Sequence, residues 1–179
     1  VSDLKGLKFR TAGLAVDLFN ELGMSTVQMA PGDIVPALDR GLLDGAEFAS
    51  ATDDKIMGFP DVAKFYLQQS YHMSNNFCEI LINKKKFDTF PNEIKQILEN
   101  VSDAATSEMV YRSMDRMSAD LNDLQTKQKV KAYITPKSIL DAQLKAWDIV
   151  IQKRSKDNPL FAKIVDSQKK WSKRVSYWY

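Results

Sequence analysis

Arg10, the pair Glu47-Phe48 and the run Tyr71-His72-Met73 are where this sequence can do chemistry. Each closes a stretch that reads as a β-strand, and open α/β sheets place their ligands outside the carboxyl ends of strands. An arginine there offers a permanent charge and a planar fork that holds a carboxylate with two hydrogen bonds. The plainer alternative is a surface ion pair with a neighbouring acid. Glu47 can accept a ligand hydroxyl, hold a cation or pair with Arg10, and Phe48 can wall an apolar part of a ligand. Equally, the two can be a strand-end acid beside a core aromatic. For Tyr71-His72-Met73 the simpler reading is packing around a satisfied histidine.

Catalysis finds little support. His72 is the only histidine, which excludes a multi-histidine metal site. Its neighbourhood, Gln68-Gln69-Ser70-Tyr71-His72-Met73, matches no nucleophile turn. There is no GxGxxG and no phosphate loop, and among 23 acids no spacing singles out a catalytic pair. The lone Cys78 cannot form an internal disulfide, and its place in the apolar run Phe77 to Ile82 predicts a buried structural thiol.

The elements that must position these residues follow from periodicity. Leu7 to Arg10 predicts a strand, ended by Thr11-Ala12-Gly13. Leu14, Val16, Leu18, Phe19 and Leu22 predict a helix stopped by Gly23. Thr26 to Met29 alternates like a second strand. Asp33 is a candidate cap for a short helix through Ile34, Ala37 and Leu38, which Gly41 closes. Leu42 to Phe48 leads into a third strand. This order predicts a sheet with parallel neighbours. Beyond it, Thr52 to Tyr66 is helix-compatible but broken at Gly58-Phe59-Pro60. Tyr66 to His72 and Phe77 to Asn83 predict two strands, the second apolar enough for burial on both faces save for Glu79. Pro91 opens a helix running to about Leu124, on the order of 50 Å at 1.5 Å per residue. A helix of that length needs two bodies to lie against. Val130 to Ile134 predicts a last strand. Ser138 with Asp141 resembles a capping box for a helix whose apolar stripe is Leu140, Leu144, Trp147 and Ile151. A final helix starts near Asn158-Pro159.

Composition agrees with a folded globular protein: 44% of residues are apolar and 27% charged. No run approaches the roughly 18 apolar residues of a membrane span. A net charge of +2 is too small to imply a nucleic-acid partner, although the tail from Lys153 onward carries about +6. Such a tail can meet acid lipid, nucleic acid or a partner, or simply be a solvated face. The chain opens on Val1 without an initiator Met or a signal peptide, which reads as a truncated start.

Several segments, taken in order, resemble one family. They are Leu4 to Arg10, Leu22-Gly23, Gly32 to Leu38, Gly41 to Phe48, Gly58-Phe59, Ala63 to Tyr66, Tyr71-His72, Glu79 to Asp88 and Phe90-Pro91. Together they resemble the DctP-like solute-binding subunits of tripartite ATP-independent periplasmic (TRAP) transporters, nearest the 2-oxo acid and mannitol/chloroaromatic subgroup. The resemblance implies an α/β, periplasmic-binding-protein-like two-lobed fold, here lacking most of its amino-terminal lobe. Residues 1–50 are then mainly a second-lobe α/β segment, 51–90 crossover strands, 91–125 a long lobe-spanning helix, and 126–179 a terminal strand and helices. It implies that Arg10 anchors a ligand carboxylate and that Glu47 and Phe48 line the pocket. In related oxo-acid binders a further acid, after the histidine, helps hold a sodium or calcium ion. Here that position is Met73, whose side chain supplies no hard oxygen. Glu47 is left as the one candidate ligand for such an ion, and Met73 with Phe48 suits a more apolar ligand tail.

The expected protein is therefore a non-enzymatic periplasmic receptor, with a signal peptide upstream of this chain. It delivers a small organic acid to TRAP membrane subunits, without nucleic acid and without membrane insertion. Two rival readings are an interaction module using the basic tail, and an enzyme with Glu47 as general base.

Overall fold

The computed structural model describes residues 1–73 and 78–178. Of these, 1–47, 67–73 and 133–178 form a first compact unit, and 48–66 and 78–132 a second.

The first unit begins with a helical turn at Ser2–Leu4, followed by β1 (Lys8–Arg10), α1 (Ala15–Glu21), β2 (Ser25–Val27), α2 (Pro31–Asp39) and β3 (Gly45–Ala46). The strands form a sheet in the order β2-β1-β3, and β1 runs parallel to both neighbours. This is the predicted strand–helix alternation, and its register sets Arg10 opposite Val27 on one side and Ala46 on the other. Ala15, Phe19 and Met24 pack with Leu4, Leu7, Phe9 and Leu22 to tie helix to sheet, and the Phe9 and Phe19 rings lie 5.0 Å apart. The Phe9 ring also explains Gly45, because a Cβ there would stand 3.1 Å from it. Gly41 ends α2 with a left-handed φ of 68°, the conformation glycine adopts at least cost. Asp33 does not cap α2. Pro31 starts the helix after an extended Ala30, and Asp33 falls in the first turn, where its charge still complements the helix dipole.

Two helices complete this unit, α7 (Lys137–Asp157) and α8 (Pro159–Val175). Ser138 lies inside α7 rather than capping it, since Pro136 precedes the first turn and gives no side-chain bond. The buried face of α7 is also turned from the predicted stripe. Gln143, Ala146 and Val150 are buried while Leu144 is 49% exposed. Polar contacts fix that rotation: Gln143 accepts a hydrogen bond from the Tyr71 backbone N–H at 2.7 Å, and the Trp147 indole donates to the Tyr71 carbonyl at 2.7 Å. Lys153 and Arg154 pair with Glu21 and Asp17 of α1, so part of the basic tail is spent on helix packing. α8 starts where the sequence predicts, and Asn158 caps it through the backbone of Leu160 and Phe161.

The second unit contains α3 (Ala51–Met57), α4 (Phe59–Val62), α5 (Lys84–Asp88) and the 35-residue α6 (Asn92–Thr126). Its core gathers Ala51, Leu124 and Val130 with Tyr66 and Leu121. β4 (Phe65–Leu67) and β5 (Lys131–Tyr133) pair where the chain passes between the units. β4 is shorter than predicted. Phe77 lies outside the described residues, and from Cys78 to Asn83 there is no strand. Cys78 is exposed, as are Ile80 and Leu81 at 76% and 87%. The expected burial of this run and its thiol therefore does not hold, because nothing among the described residues packs over it. Of the described residues, no helix is long and apolar enough to cross a membrane.

Lys55 of α3 bridges two acids of α6, reaching Asp120 at 2.7 Å and Asp123 at 2.8 Å. Arg116 adds a second cation at 2.6 Å from Asp120. Hydrogen bonds from Lys55 and Arg116 hold the Asp120 carboxyl well below the usual range, and Lys55 and Lys127 lower Asp123 in the same direction. A depressed carboxylate adds stability that is present above its unfolded value and lost as pH falls through the folded one. The denaturation midpoint of the wild-type protein is therefore expected to drop as pH is lowered from neutral through the ordinary carboxylate range. In Asp120→Asn that acid limb flattens. Identical pH profiles for the two proteins count against the assignment.

Candidate functional site

The register of the three strands brings their carboxyl ends level, and Arg10 uses that alignment. The residue is buried, at 6% exposure. Its Nε and Nη2 donate to the Met29 carbonyl at 3.4 and 3.2 Å, and Nη1 donates to the Glu47 carbonyl at 2.9 Å. The guanidinium thus clasps the chain just beyond both flanking strands. Nη1 also lies 3.4 Å from Glu47 Oε1. The two main-chain oxygens orient the cation without cancelling its charge, since a carbonyl is only a dipole. Arg10 and Glu47, predicted as candidates from separate strand ends, are brought together.

Glu47 has further partners. Its Oε1 accepts from the Thr11 hydroxyl at 3.1 Å, and Oε2 lies 3.2 Å from His72 Nε2. A carboxylate can only accept, so His72 carries its proton on Nε2 toward Glu47. Nδ1 lies 2.6 Å from Ser70 Oγ, whose own proton goes to Gln143 Oε1 at 3.1 Å. His72 also packs on Phe19, with ring centroids 5.6 Å apart. It is the satisfied histidine of the simpler reading, but one that holds Glu47 in place.

Ser70, His72 and Glu47 have the composition of a hydrolase triad, yet the geometry is that of a brace. Ser70 Oγ accepts the His72 backbone N–H at 3.3 Å and lies 3.1 Å from Gln143 Oε1, so the hydroxyl is held inside its own turn. Phe48 begins the second unit, where its ring stacks on Phe59 at 6.0 Å and 20°. Met73 ends the 67–73 segment of the first unit, 45% exposed.

Thr11, Ser70 and Gln143 were not singled out from sequence. Thr11 could have been, since it follows Arg10 directly. Gln143 gave no signal, because its partners stand more than 70 positions away.

Sodium and calcium require several oxygen ligands, six to eight for calcium. Among the described residues no three His, Cys, Asp or Glu side chains gather to hold a metal. Glu47 already receives Arg10, Thr11 and His72, and Met73 brings only a soft thioether. This donor set does not fit a hard cation.

Grooves elsewhere are weaker candidates. One of about 320 Å³ in the first unit, between α1 and α7, is lined by Asp17, Glu21, Lys153 and Arg154, which neutralise one another in ion pairs.

A mixed α/β scaffold whose parallel strand ends are level, with an arginine held there, is the arrangement in which open α/β sheets place ligands. The chain belongs to the DctP family, the bacterial extracellular solute-binding proteins of family 7, whose profile it matches over residues 1–157. That family consists of receptors, not enzymes. The chain is 28% identical over 179 residues to a monocarboxylate 2-oxoacid-binding periplasmic protein of Nostoc sp., covering 99% of this chain and 49% of that one. It is also similar to a TRAP solute-binding protein of Bordetella bronchiseptica bound to calcium and picolinate (27% identity, TM-score 0.87, 99% of this chain and 52% of that one). A third similar protein is the TRAP receptor of Colwellia psychrerythraea bound to calcium and pyruvate (26% identity, TM-score 0.88, 99% and 54%). The chain thus spans about half the length of the relatives it matches.

Proposed function

We propose that the full-length protein is a periplasmic receptor that closes on a small organic carboxylate and hands it to TRAP membrane subunits. The observation carrying this reading is the clasped guanidinium of Arg10, held at the level ends of three parallel strands in a chain of this family. Arg10 anchors the ligand carboxylate through its fork, Glu47 and Phe48 line the pocket, and Met73 faces the ligand's apolar part. The ligand belongs to the 2-oxo, 2-hydroxy or aromatic monocarboxylates, a class supported by the relatives that take 2-oxoacids, pyruvate and picolinate. No bond is made or broken. Ligand shifts an open–closed equilibrium by its differential affinity for the closed form.

Calorimetry on the full-length protein with a panel of such acids, each beside its neutral amide, tests the proposal. At least one acid is expected to bind saturably while its amide does not. Failure of every acid to bind, or equal binding of acid and amide, refutes it.

A further inference from the structure

We propose that this receptor holds its carboxylate ligand without a metal ion, and that residue 73 is the position that decides this. The inference rests on the receptor reading above and goes beyond it by separating this chain from similar proteins that bind calcium together with their ligand.

The argument starts from the lone pairs of Glu47. An ionised carboxylate offers about four acceptor sites. Three are already directed at donors: Arg10 Nη1 at 3.4 Å, Thr11 Oγ1 at 3.1 Å and His72 Nε2 at 3.2 Å. The last of these is set by a relay that begins far from the site. Tyr71 N–H and Ser70 Oγ both meet Gln143 Oε1, at 2.7 and 3.1 Å, and Gln143 is buried at 3% exposure. That anchor fixes the turn, Ser70 Oγ fixes Nδ1 of the imidazole, and the imidazole presents its Nε2 proton to Glu47. A cation at Oε2 would share that oxygen with the imidazole proton, and would have to find most of its remaining oxygens elsewhere. The residue that follows His72, whose ring reaches Glu47, is Met73. A thioether is a poor ligand for calcium or sodium.

A consequence for ligand choice follows. A 2-oxo acid gains over a simple acid by chelating a cation with its carboxylate and keto oxygens together. Without the cation that advantage disappears, and an apolar substituent beside Met73 contributes instead.

The test titrates calcium chloride, pyruvate and picolinate into the full-length protein and into Met73→Glu, each in chelator-treated and calcium-containing buffer. The wild-type protein is expected to show no calcium binding and the same acid affinity in both buffers, within about twofold. Met73→Glu is expected to bind calcium and to hold the acids at least about tenfold more tightly when calcium is present. A tenfold or greater loss of wild-type acid affinity on chelation, about 1.4 kcal/mol, overturns metal-free binding while leaving the receptor reading intact. Absence of calcium binding in Met73→Glu overturns the assignment to residue 73. If neither protein binds any acid in either buffer, the receptor reading itself fails, and this inference with it.

Discussion

Arg10→Ala in the full-length receptor is expected to weaken binding of the best carboxylate at least about 30-fold, corresponding to roughly 2 kcal/mol or more for removing one partner of a buried, hydrogen-bonded charge pair. The loss has two sources. The ligand carboxylate forfeits its counter-charge, and the clasp on Met29 and Glu47 disappears, so the strand ends are no longer held level. Arg10→Lys separates them. Lysine restores the charge but not the planar fork, so its affinity should fall between those of wild type and alanine. Calorimetry gives the affinities, and far-ultraviolet circular dichroism first establishes that each variant is folded. Unchanged affinity in a folded Arg10→Ala protein would remove the anchor from the mechanism.

The second large effect is on stability. Glu47→Ala removes a carboxylate partner of the buried Arg10, and it also strips Thr11 and His72 of an acceptor. Breaking a buried pair from one side costs about 3–5 kcal/mol. The lower end, about 3 kcal/mol, is expected here because two carbonyls still hold the guanidinium. Removing both members leaves no stranded charge. The Arg10→Ala/Glu47→Ala double variant should therefore be less destabilised than the sum of the singles, by about 1 kcal/mol or more. Guanidinium unfolding of the four proteins measures the cycle. Costs that add would show that the two side chains do not depend on one another.

Much of this was legible from short-range pattern. The parallel sheet followed from strand–helix alternation, and Arg10 and Glu47 from their places at strand ends, because both signals are local. Pro91 located the start of α6, and Asn158-Pro159 that of α8, because capping and proline geometry act within a few residues. What was lost depends on distant partners. The buried face of α7 turned toward Gln143 because that side chain binds a segment more than 70 positions away. Asp33 and Ser138 carry side chains suited to capping, but Pro31 and Pro136 set the starts of their helices first. The apolar run from Cys78 to Ile82 misled for a related reason. Apolar composition states a preference for cover, whereas burial requires a neighbour. The Ser70–His72–Glu47 relay could not be read at all, since it joins the residue after β3 to a segment 25 positions further along the chain.

The grip of Arg10 on two main-chain oxygens has a thermodynamic consequence for any anion that arrives. A free arginine would surrender much of its rotamer entropy on capturing a ligand, as much as about 2 kcal/mol. Here that freedom is already relinquished in folding, because Nε, Nη1 and Nη2 are all held by main-chain oxygens. Preorganisation of this kind lets a ligand of only a few heavy atoms bind usefully, because little of its small contact energy goes into ordering the protein.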